Sequence, residues 1–72
     1  MSFMSLPSAS VLKAAARVVE EAEAFLEAGK AEGVPASEIY HREKAVSDAV
    51  YEWEKAAIAH RKDVLEYNTK KA

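Results

Sequence analysis

The sequence predicts an all-α fold: a two-helix antiparallel hairpin that pairs with a second copy as a four-helix bundle. Three observations predict it. Two long stretches rich in Ala, Leu, Glu, Lys and Arg, the good helix formers, flank one strong break at Gly33-Val34-Pro35. Apolar residues recur in both stretches at alternating spacings of four and three, the helical period. The chain is also short. Of its 72 residues 50% are apolar, and many of these are alanines, so one small core is all that length supplies. Without cysteine no disulfide reinforces it. Long helices that pair with a second copy are the remaining remedy.

The elements follow in order along a single domain, residues 1–72. Pro7 and Ser8 mark the start of the first helix, read as about residues 8–32. Gly33 suits the left-handed residue just past a helix end, and Pro35 cannot continue that helix. After the loop at 33–36, a second stretch free of Gly and Pro reads as a helix over about residues 37–69, capped by Ser37 or opened by Pro35 in its first turn. A loop this short makes the helices antiparallel.

On the first helix the predicted core seam is Val11, Ala15, Val18, Ala22, Phe25 and Gly29, widened by Leu12, Val19 and Leu26. Large and small residues alternate there, so a partner helix can approach closely. The second helix answers with Ile39, Val46, Val50, Trp53, Ala57, His60, Val64 and Tyr67. Folding at residue 34 brings Trp53 near Ala15 and Ala22. This is the predicted core.

A second apolar stripe is left over. Tyr51, Ile58 and Leu65 recur every seven residues, roughly 140° round the helix from the Trp53 stripe at ~100° per residue. Tyr40 and Ser47 extend that side toward the loop. A helix with one neighbour turns such a stripe to water, and exposed apolar stripes mark protein contact. The second helix is also longer than the first by about nine residues, near 13 Å. Phe3, Met4 and Leu6, or a second subunit, are expected to cover that overhang.

Composition excludes several functions. Without cysteine there is no thiol catalysis and no cysteine-ligated zinc. Ten Lys+Arg against twelve Asp+Glu give a net charge of −2, which argues against general nucleic-acid binding. No apolar run approaches a membrane span, and Met1 to Leu6 lacks the pattern of a secretory signal, so the expected compartment is the cytoplasm. Glu38 and His41 form a Glu-x-x-His pair of the kind used in di-iron bundles, but they lie in a first helical turn, where the helix dipole already explains an acid. His60 and Asp63 lack a nucleophile or oxyanion hole beside them. No cofactor and no enzymatic activity are expected. The run Glu20, Glu21, Glu23, Glu27 and Glu32 makes the second half of the first helix acidic, a surface complementary to a basic patch on a partner.

The stretch Ser47-Asp48-Ala49-Val50, then Glu54, then Ala56-Ala57-Ile58-Ala59, resembles the second helix of a small phage-encoded family, the quorum-sensing anti-activators. His60-Arg61-Lys62 resembles that family's basic ending, so the likeness covers residues 47–62. The family's tryptophan in this helix falls one position earlier, where this chain has Glu52. The resemblance implies a non-enzymatic, dimeric helical hairpin, made in infection, that inhibits host proteins in the bacterial cytoplasm. The implied partners are a LuxR-type transcription activator, bound at its DNA-binding region, and a pilus-assembly ATPase. Tyr40, Ser47, Tyr51, Glu54, Ile58 and Leu65 are the residues expected to carry subunit or partner contact. The alternative reading is a structural or secretion co-chaperone hairpin that holds one cognate protein; a small DNA-binding regulator using the basic C-terminal third stands third.

Overall fold

The computed structural model describes residues 6–71, and they form two helices, α1 (Pro7–Glu32) and α2 (Ala36–Lys71), packed against each other as a hairpin. It is a thin rod measuring 56 × 16 × 11 Å. Phe3 and Met4 lie outside the described residues.

Each boundary has a local cause. Leu6 precedes α1 in an extended conformation, and Pro7 occupies the first turn, where its missing N–H costs no helical bond. Gly33 ends α1 in the left-handed region, at φ 73°. Its N–H donates to the Lys30 carbonyl, and the Val34 N–H donates to Gly29, which satisfies two carbonyls of the last turn. Pro35 then lends its carbonyl to the N–H groups of Glu38 and Ile39 and so opens α2. Ser37 is therefore inside the first turn of α2, not its cap.

Burial traces the seam. On α1 the inward side comprises Ser8, Leu12, Ala15, Val19, Ala22, Leu26 and Gly29; on α2 it comprises Ile39, Arg42, Val46, Ala49, Trp53, Ala56, His60, Asp63 and Tyr67. Both follow a heptad period. The Oγ of Ser8 lies 2.9 Å from His60 Nδ1 and sets the register. Counting inward from that bond, Leu12 comes level with Ala56, Ala15 with Trp53, Val19 with Ala49, Ala22 with Val46, and Gly29 with Ile39. Each of those levels opposes a large residue to a small one, while Leu26 comes level with Arg42, two large residues. Close approach follows.

This corrects half of the predicted core. Val11, Val18 and Phe25 are each more than half exposed, in a column beside the seam, and Leu12, Val19 and Leu26 take the inward places. Ala15, Ala22 and Val46 are in the seam as expected, and Trp53 is there too, though 39% exposed. Val50, with Ala57 and Val64, flanks the seam half-buried, while Ala49 (7% exposed) and Ala56 (9%) sit innermost. On α1 the seam runs one position later than the apolar pattern alone selects; on α2 its innermost positions are the small Ala49 and Ala56, which lets the backbones come close.

Candidate protein-binding surface

The seam takes up only part of the chain's larger apolar side chains, and Val11, Val18, Phe25, Tyr40, Tyr51, Ile58 and Leu65 stand outside it. No large side chain among the described residues is fully buried. The outward ones fall into ordered columns set by the heptad phase of the seam.

The first column is on α2, on the side facing away from α1. Tyr51, Ile58 and Leu65 are each about three-fifths exposed or more, one above another at seven-residue intervals. The adjoining column carries Tyr40, Ser47 and Glu54, all exposed. The six residues singled out for contact thus share one outer surface of α2. Lys55 leans across it, with Nζ 5.2 Å from the Tyr51 ring centre and 3.5 Å from Glu52 Oε1. Both contacts are exposed and weak.

The second column is on α1: Val11, Val18 and Phe25. The Arg42 guanidinium lies 3.6 Å over one face of the Phe25 ring, which is otherwise as exposed as Val18. The exposed carboxylates Glu20, Glu21, Glu23, Glu27 and Glu32 share this helix, and Glu27 meets only Lys30, at 3.6 Å. Between the helices, on the side opposite the valines, Ala16, Val19, Val50 and Trp53 line a shallow apolar groove rimmed by Glu20 and Glu23.

Arg42 is the residue that pattern reading passes over. Its side chain is only 11% exposed, in a seam position. Nη1 donates to the Phe25 carbonyl at 2.6 Å, Nε donates to Glu38 at 3.2 Å, and the guanidinium stacks on Phe25. Gly29 makes room for it, since a Cβ there would stand 2.7 Å from Arg42 Nη1. The available signal was a long cation falling on the seam column one heptad before Ala49, four residues after an acid. Near it, Glu38 is taken up by Arg42, and His41 meets Tyr40 edge-on at 5.8 Å. Among the described residues no three His, Cys, Asp or Glu side chains converge as metal ligands.

No described helix is long and apolar enough to cross a membrane. No family model, curated protein or solved structure matches the chain. Its functional reading therefore rests on the surface just described.

Proposed function

We propose that this chain is a non-enzymatic protein-binding module: a homodimer of hairpins, forming a four-helix assembly, that binds and inhibits a bacterial regulatory protein. The observation that carries the reading is the inversion of bulk. The hairpin places Ala49 and Ala56 innermost and turns Val11, Val18, Tyr51, Ile58 and Leu65 outward, and association buries exposed apolar columns of that kind. Two such columns on different helices give one surface for a second copy and one for a target. The exposed carboxylates of α1 add steering toward a basic partner, as a DNA-binding region would be. The resemblance of residues 47–62 to the quorum-sensing anti-activators names the target class: a LuxR-type activator, with a pilus-assembly ATPase as the second.

The test is a gel shift with a LuxR-type activator on its promoter DNA, run with the wild-type chain, Val18→Lys and Tyr51→Lys. The wild type should release the DNA, and at least one lysine variant should fail while circular dichroism shows its helices intact. An activator that holds its DNA against excess wild-type chain sinks the anti-activator reading. A chain that is unfolded until one cognate protein is supplied moves the assignment to a co-chaperone.

A further inference from the structure

Three features of α2, taken together, say what its outer face meets. The column Tyr51, Ile58, Leu65 is symmetric about its middle member, so two copies laid antiparallel and crossing at Ile58 bring each Tyr51 against Leu65 of the other. Charge along the helix has the same centre. Residues 45–55 hold Asp48, Glu52 and Glu54 against Lys55, a net −2, while residues 61–71 hold Arg61, Lys62, Lys70 and Lys71 against Asp63 and Glu66, a net +2. Antiparallel pairing at Ile58 places each of these segments opposite the other; parallel pairing places each opposite itself. The third feature is the overhang. Counting from the Ser8–His60 bond, residues 62–71 run past the start of α1, about 15 Å of helix with no α1 beside it. Leu6 borders its inner side, next to Asp63, Glu66, Tyr67 and Lys70, and leaves Leu65 uncovered.

We infer that the outer face of α2 packs antiparallel against the same face of a second copy, with the two-fold axis at Ile58, so that each overhang lies on its partner and the helices run in the order α1, α2, α2, α1. This rests on the dimer proposed above and leaves the valine column of α1 for the target. The charge pattern decides the direction, because opposed segments of unlike sign favour and orient contact.

The chain has no native cysteine, so single cysteines report the geometry. In the antiparallel pair two copies of residue 51 are about 21 Å apart, 14 residues at 1.5 Å each, far beyond disulfide reach. Under mild oxidation Tyr51→Cys alone should stay uncrosslinked, and an equimolar mixture of Tyr51→Cys and Leu65→Cys should give the mixed covalent dimer. Sedimentation of the same proteins reads association independently, with Ile58→Asp expected to be a folded monomer. Tyr51→Cys linking to itself overturns the antiparallel direction. A dimer that sediments normally but forms no mixed link, or survives Ile58→Asp, overturns the face. A wild-type chain that sediments as a monomer at all concentrations overturns the dimer itself, a separate outcome from either.

Discussion

The two ends of the hairpin are held in different ways. At the loop end, Gly33 closes α1, Gly29 makes room for Arg42, and Arg42, held by Glu38 on its own helix, ties α2 to α1 through the Phe25 carbonyl and ring. At the open end Ser8 and His60 share one hydrogen bond, α1 begins without a side-chain cap, and α2 runs on past the start of α1 beside Leu6. The loop end is thus tied by interlocking side-chain contacts and a closing turn, whereas Ser8 and His60 join the helices at the open end through a hydrogen bond between two side chains.

The contrast can be broken at its strongest point. Arg42→Ala removes a charge-assisted hydrogen bond and the cover on Phe25; it should cost about 2–3 kcal/mol, read from urea unfolding followed at 222 nm. The Glu38 pair contributes little of this, because Glu38 is partly exposed. An unchanged midpoint would show that Arg42 does not clamp the loop end. Gly33→Ala comes next. Placing a Cβ at φ 73° costs roughly 1–2 kcal/mol, and open space around Gly33 means that backbone strain alone is being measured. Gly33→Asn, which tolerates that conformation better, should recover part of the loss. Ser8→Ala is the mildest and the most local. It should cost about 1 kcal/mol or less and speed amide exchange in residues 56–64 without touching the loop end. If exchange rises equally near Gly29, the ends are not independent.

Much of this was legible in the sequence. The break at Gly33-Val34-Pro35 set the hairpin, and the helices begin and end within two residues of the expected places. Ala15, Ala22 and Gly29 pointed to a close seam. What misled was the choice between adjacent columns. Val11, Val18 and Phe25 stand one position before Leu12, Val19 and Leu26, and either column shares its face with the same alanines. On α2, Val50 and Ala57 competed with Ala49 and Ala56 in the same way. Two adjacent columns of comparable hydrophobicity fit the same period, and only the paired geometry shows which of them faces the neighbour. Arg42 was hidden for a related reason: a charge in a core column reads as an interruption until its carbonyl and ring partners are in view. The outer column of α2 was readable because it needed no partner to be located, only the period.

Burial in this hairpin fastens on very few side chains: Ser8, Gly29, Ala49 and Ala56 are the ones closed off among the described residues. Frame and coat are therefore nearly separate. Substitutions at Val11, Val18, Tyr51, Ile58 and Leu65 leave the alanine seam untouched, whereas Phe25 is tied to Arg42 and belongs to the frame. A rod of this build divides the residues that hold it together from those it presents to its surroundings.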